Sequence, residues 1–152
     1  MRDDCIVRRV ERDDLPDLVD MCGEHARYER ADYDPRGKAA LLERALFGPA
    51  PRLVAWVADS GGEHVGYATV TEEFSTWAAR SFLHMDCLFV HHNHRGAGIG
   101  AALLAEIVRF ANDQGHTEVQ WQTPAWNASA ARFYRRHGAT DLAKLRFRFS
   151  TA

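Results

Sequence analysis

The sequence predicts a mixed α/β fold with a hairpin-rich first half and a β-α-β second half. Three observations predict it. Runs rich in β-branched and apolar residues, such as Leu53 to Ala58 and Val65 to Phe74, are bounded by turn-forming residues. Ser60-Gly61-Gly62-Glu63 sits between those two runs as a hairpin turn. Beyond Val90 the period changes. Ile99, Leu103, Ile107 and Phe110 recur at helical spacing, and Gly115 closes the segment.

Taken in order, Ile6 to Val10 reads as a first short strand. Asp13-Asp14 before Leu15-Pro16 is an acidic helix start with proline in the first turn. That helix should reach about Tyr28, with Leu18, Met21, Cys22 and His25 near one face and Gly23 as a weak spot. Asp34-Pro35 can open a second helix ending near Phe47, ahead of Gly48-Pro49-Ala50-Pro51. The hairpin strands follow, then a strand from Ser81 to Val90 and the helix through Phe110. Glu118 to Thr123 is a strand, Ala128 to His137 a short helix before Gly138, and Leu145 to Phe149 a last strand. Phe147 and Phe149 alternate there with Arg146 and Arg148, as on a strand with one buried face. The expected order is β-α-α-β-β-β-α-β-α-β.

With 152 residues the chain is long enough to bury about 70% of its unfolded surface, so a single domain over 1–152 needs no staples. At 46% hydrophobic and 26% charged it is neither a disordered tail nor a fibre. A formal charge of −2 argues against a dedicated nucleic-acid binder. Cys5, Cys22 and Cys87 are odd in number and far apart, so neither a disulfide framework nor a zinc knuckle is indicated. The charged start, Met1-Arg2-Asp3-Asp4, has no apolar signal region, and no apolar run reaches membrane length. Together these point to a cytoplasmic chain with no membrane partner. His91, His92 and His94 share a loop, but without a matched further ligand no metal site is assigned.

The chemistry is concentrated where the third long strand ends, at Arg95-Gly96-Ala97-Gly98-Ile99-Gly100. Alternate glycines let backbone N–H groups point one way without Cβ obstruction, and the helix that starts there adds orphan donors and a partial positive charge. Arg95 can grip an anion with two bonds. The pattern is a pyrophosphate cradle. It lacks the lysine of a P-loop. It satisfies G-x-G-x-x-G/A, yet it comes late in the chain, and the next strand ends in Gln122-Thr123-Pro124 with no acid for a ribose.

Arg95, Gly98 and Gly100 match the coenzyme A loop of the GNAT acyltransferase superfamily, which the chain resembles. Trp126-Asn127, Phe133-Tyr134 and Gly138-Ala139 are similar to that family's next block. The spermidine/spermine and thialysine N-acetyltransferase branch is closer still, with counterparts to Tyr28-Glu29, Trp77 and the stretch Asp86 to Val90. The resemblance covers nearly the whole chain. It implies a mixed, splayed central sheet flanked by helices, parting where the strands ending at Val90 and Pro124 separate. It implies acetyl-CoA as cosubstrate, its pyrophosphate on the backbone of Arg95, Gly96, Ala97, Gly98, Ile99 and Gly100, and its pantetheine arm on the Val90 backbone as an added strand.

The resemblance also implies roles. Tyr134 corresponds to the general acid that protonates the departing thiolate; a phenol is protonated at neutral pH. Asp86 corresponds to the carboxylate that takes the amine proton through water. The branch has Glu there with an acid beside it, whereas this chain has Asp86 followed by Cys87. A carboxylate on so apolar a strand is expected to be buried for a reason. A Cys87–His84 nucleophile pair is disfavoured, because residues three apart on a regular strand face opposite ways. Asn127 is expected to touch the coenzyme, to cap the helix from Ala128, or both. Arg136 is expected near coenzyme phosphates, and Glu29, Asp32 and Trp77 near the acceptor. From Glu24 to Arg36 four acids mix with three arginines, which suits a polyamine no better than a zwitterion held by one arginine through its carboxylate.

The function expected is acetyl transfer from acetyl-CoA to a primary amine of a polyamine, amino acid or natural product, in a homodimer as in the polyamine branch. Two other readings stand beside it. One is a relative that takes its acyl group from another donor, such as an aminoacyl-tRNA, against which the net charge argues. The other is a non-catalytic coenzyme-binding module, against which Tyr134 and Asp86 argue.

Overall fold

A computed structural model describes residues 4–152; Met1 to Asp3, read above as part of a charged start, lie outside the described residues. The chain forms two compact units, one up to Gln122 and one from Thr123 to Ala152.

The first unit is built on a five-stranded sheet: β1 (Cys5–Arg9), β2 (Val54–Ser60), β3 (Glu63–Ser75), β4 (Arg80–Val90) and β5 (Val119–Gln120), in that spatial order. The first three pairings are antiparallel, and β4 pairs β5 in parallel across the crossover helix α3 (Ile99–Asp113). The sheet is therefore mixed. It is also splayed. The β4–β5 register holds at Leu83↔Val119 and His84↔Gln120, and β4 then runs on to Val90. The strand expected over Glu118 to Thr123 is reduced to two paired residues by this parting.

Helices cover both faces. On one, α1 (Leu15–Tyr28) and α2 (Lys38–Phe47) bury Leu15, Leu18 and Met21 against Val10, Ala55, Val57, Tyr67 and Phe89, with Leu42, Leu46 and Phe47 packed at the margin. On the other, α3 buries Ile99, Leu103 and Ile107. There Phe110 meets the buried Trp56 edge to face at 5.2 Å, and the Arg9 guanidinium lies over both rings. Fully burying aliphatic side chains of this size contributes about 1.5–3 kcal/mol each.

Three local differences from the sequence reading have physical causes. Asp14 makes no side-chain cap on α1. Its carboxylate instead accepts from the Glu11 N–H at 2.7 Å and from Arg8 at 2.8 and 2.9 Å, closing a short 3₁₀ turn before α1. Asp34 folds onto the backbone and guanidinium of Arg36, so the second helix starts only at Lys38. Gly23 does not interrupt α1: it is buried within the helix, and a Cβ there would stand 3.4 Å from the Tyr33 ring.

In the second unit, α4 spans Ala128–Arg136. The expected strand from Leu145 to Phe149 is absent, and Leu145, Phe147 and Phe149 stand 84–92% exposed. An alternating pattern gives a segment one apolar face, but a strand forms only where a ladder partner takes its main-chain groups.

Candidate active site

The site starts from an irregularity in β4. Cys87 pairs with Thr69 and Met85 with Val70, so Asp86 is an extra residue without a partner on β3. Such a bulge resets the in–out alternation of the strand. Met85 is buried on the α3 face, whereas Cys87 and Phe89 lie on the α1 face with Thr69 and Tyr67. Asp86 itself turns outward with its side chain 61% exposed. The burial expected for this carboxylate is thus corrected, because the bulge removes it from the packed ladder.

The same reset overturns the argument that His84 and Cys87 must face opposite ways. His84 Nε2 lies 4.0 Å from Asp86 Oδ1, and the Cys87 thiol lies 3.8 Å from Asp86 Oδ2. The thiol is still no nucleophile. Burial, reinforced by the Asp86 charge, pushes its pKa up to about 12. Cys22, raised by burial, and the Tyr67 phenol, raised far above its usual range by burial, meet it on the same face.

Past the bulge, β4 presents main chain. The His91 N–H donates to the Val65 carbonyl at 2.8 Å, so by antiparallel alternation the Val90 and Leu88 groups point away from β3. One of them, the Val90 carbonyl, accepts from Arg95 Nε at 2.9 Å. The Arg95 guanidinium lies 4.4 Å from the centre of the Tyr28 ring. Arg95 thus fastens the end of β4 to the end of α1, a role the sequence did not announce.

The loop then enters α3. Gly96 and Gly98 have φ of +80° and +83°, and Gly98 is the N-cap residue. Only glycine adopts this conformation without strain. The first helical bond runs from Ala102 N–H to Gly98 C=O, which leaves the N–H groups of Ile99, Gly100 and Ala101 without helical acceptors. No acid occupies the first turn. An anion such as a pyrophosphate fits this end of the helix.

The expected acceptor residues scatter. Glu29 is engaged, its carboxylate 2.6 Å from His25 Nε2. Asp32 is exposed on the α1–α2 connection. Trp77 is fully exposed at the tip of the β3–β4 hairpin, and the six residue steps from Arg80 to Asp86 alone span roughly 20 Å. Within this chain Trp77 and Asp86 are not brought together. The structure instead lines the α1 side of β4's end with Glu24 and Arg27, which the sequence offered only within a mixed run of acids and arginines, and with His91, which it offered only as a metal ligand. Their signal was present: Glu24, Arg27 and Tyr28 share one face of α1 at helical spacing.

In the second unit Asn127 is buried and caps α4, its Oδ1 accepting from the Ala130 N–H at 3.3 Å. Tyr134 is half-buried on that helix, edge to face with Phe133 at 5.3 Å. Arg135 pairs with Asp141 through two bonds, and Arg136 is exposed in the last turn.

A mixed sheet parting beside a glycine-bounded helix N-terminus is the scaffold of an acyltransferase. The Acetyltransferase (GNAT) family model matches residues 15–139, and the chain belongs to that family. It is an N-acetyltransferase. It is 28% identical over 155 residues to a thialysine N-epsilon-acetyltransferase of Mus musculus, covering 94% of this chain and 91% of the relative. An integron cassette protein from the mobile metagenome of V. cholerae superposes with a TM-score of 0.80 at 26% identity, covering 97% of this chain and 93% of that one. An aminoglycoside acetyltransferase from an uncultured soil metagenomic sample shares the fold, with a TM-score of 0.78 at 20% identity over 98% and 97% of the two chains. Among the described residues no helix is long and apolar enough to cross a membrane.

Proposed function

We propose that this protein transfers an acetyl group from acetyl-CoA to a primary amine of a small molecule by direct attack. One observation carries the reading: the outward main chain of Leu88 and Val90 leads straight to the free N–H groups of α3. An added strand fits the first, a pantetheine arm, and a pyrophosphate fits the second. Arg95, Gly96, Ala97, Gly98, Ile99 and Gly100 form the cradle.

The acceptor amine must be neutral to attack the thioester carbonyl. As the C–N bond forms, Asp86 takes the amine proton through water, and its exposure on the bulge gives water access. As the C–S bond breaks, the Tyr134 hydroxyl protonates the thiolate. Asn127 sets the start of the helix that carries Tyr134, and Arg136 adds positive charge at its end. The family match runs across Gln122, which supports the two units acting as one domain. We further place the protein in the cytoplasm as a homodimer, in which the alternating segment Leu145 to Phe149 covers its exposed apolar side chains on a second copy.

Calorimetric titration of coenzyme A tests the reading. The wild type binds, and Gly98→Ala loses at least tenfold in affinity, because a Cβ strains the φ of +83° and crowds the anion-facing donors. Absence of binding by the folded wild type sinks it. Light scattering tests the dimer: deletion of residues 145–152 should leave a monomer.

A further inference from the structure

A cleft of about 440 Å³ opens between the end of α1 and the end of β4, lined by Glu24, Arg27, Tyr28, Phe89, His91 and Arg95. Its charges are not equivalent. The Glu24 carboxylate lies 3.1 Å from His91 Nε2, and the neighbouring acid Glu29 is turned onto His25. Arg95 is fastened to the Val90 carbonyl and stacked on Tyr28. Neither acid near Arg27 on α1 is therefore available to it, and among the described residues no carboxylate stands within ion-pair distance of its guanidinium. The cleft thus offers one uncommitted cation beside a half-exposed carboxylate, three residues apart on one helix face.

We propose that this cleft receives the carboxylate of an amino-acid-like acceptor, with Arg27 as the specificity-determining cation, while the acceptor's far amine reaches Asp86. The inference rests on the acetyltransfer reading and narrows its substrate class. Spacing supports it. Phe89 in the cleft wall and Asp86 on the bulge lie three residues, or roughly 10 Å, apart along β4. An extended lysine-like amino acid separates carboxylate and side-chain amine by about 8 Å, counted over its covalent bonds. Charge supports it as well. The α-ammonium next to the held carboxylate would meet Glu24, beyond which the surface is acidic with Asp17, Asp20 and Glu63. A diamine of the same length would bring a second cation against Arg27 and Arg95 with no anion to offer them.

The test is steady-state acetylation with acetyl-CoA, using thialysine, its decarboxylated diamine and spermidine as probes, beside calorimetric coenzyme A affinity. Thialysine should exceed both amines in kcat/KM by about tenfold or more, the scale of one charge-assisted hydrogen bond. Arg27→Gln should raise KM for thialysine with little change in kcat, and the preference over the diamine should fall toward one. Arg27→Lys should restore part of it. A diamine or spermidine accepted as well as thialysine overturns the inference, as does turnover of none of the three by protein that binds coenzyme A. A weakened coenzyme A affinity in Arg27→Gln shows that the cleft holds a coenzyme phosphate, and overturns it too. Wild-type protein that binds no coenzyme A strikes the acetyltransfer reading itself, so the two failures are distinguishable.

Discussion

The phenol oxygen of Tyr67 lies 2.8 Å from Nδ1 of His25. The other ring nitrogen, Nε2, lies 2.6 Å from the Glu29 carboxylate, so both imidazole nitrogens are hydrogen-bonded. This chain of bonds ties β3 to the last turn of α1. Tyr67→Phe keeps the ring packing and should lower stability by about 1–2 kcal/mol, the cost of leaving the imidazole nitrogen unsatisfied. A urea midpoint unchanged from wild type would show that water replaces the phenol.

Arg8 holds the Asp14 carboxyl below the usual carboxylate range, mainly through their two-bond pair. A folded pKa below the unfolded value means the stabilisation is complete above about pH 4 and is lost as pH falls through the folded pKa. Asp14→Asn should cost about 2–3 kcal/mol at neutral pH. The gap to wild type should close in acid. Urea unfolding at pH 7 and near pH 3 measures both.

The thiols should be sluggish. With Cys87 pushed up to about 12, its thiolate fraction at pH 8 is roughly a thousandfold below that of a free cysteine. Cys5 and Cys22 are raised by burial too. Folded protein should therefore react with a thiol-specific disulfide reagent at pH 8 far more slowly than denatured protein. A fast thiol in the folded state would contradict these environments.

Tyr134→Phe should keep coenzyme A affinity and lower kcat, with roughly 10²- to 10⁴-fold at stake for a general acid and less if water substitutes. Asp86→Asn should leave stability within about 0.5 kcal/mol, since the side chain is exposed, yet shift the acid limb of the pH–rate profile. A wild-type rate in the first variant makes Tyr134 a packing residue. An unshifted profile in the second makes Asp86 a charge and not a base.

Legibility followed the range of the forces. α1 and the β2–β3 hairpin were plain in the sequence because a first-turn proline, a glycine turn and periodicity are local signals. The glycines of α3's entry were plain for the same reason. The bulge at Asp86 was hidden, since it exists only as a mismatch between β3 and β4 in pairing. Arg95 as a clasp on Val90 and Tyr28 was hidden because three separate segments meet there. Leu145 to Phe149 carries a strand's pattern without a strand, because pattern supplies the face and not the neighbour.

The extra residue in β4 divides the labour of that strand. Met85 and Cys87 on either side are tied to opposite packed faces, so their volumes are fixed by the core. Asp86 has no partner on β3 and is mostly exposed, so it can change in length or charge at little cost in folding. A lineage can therefore change the side chain at this one position without rebuilding the sheet beneath it, and a carboxylate is the kind of group such a position permits.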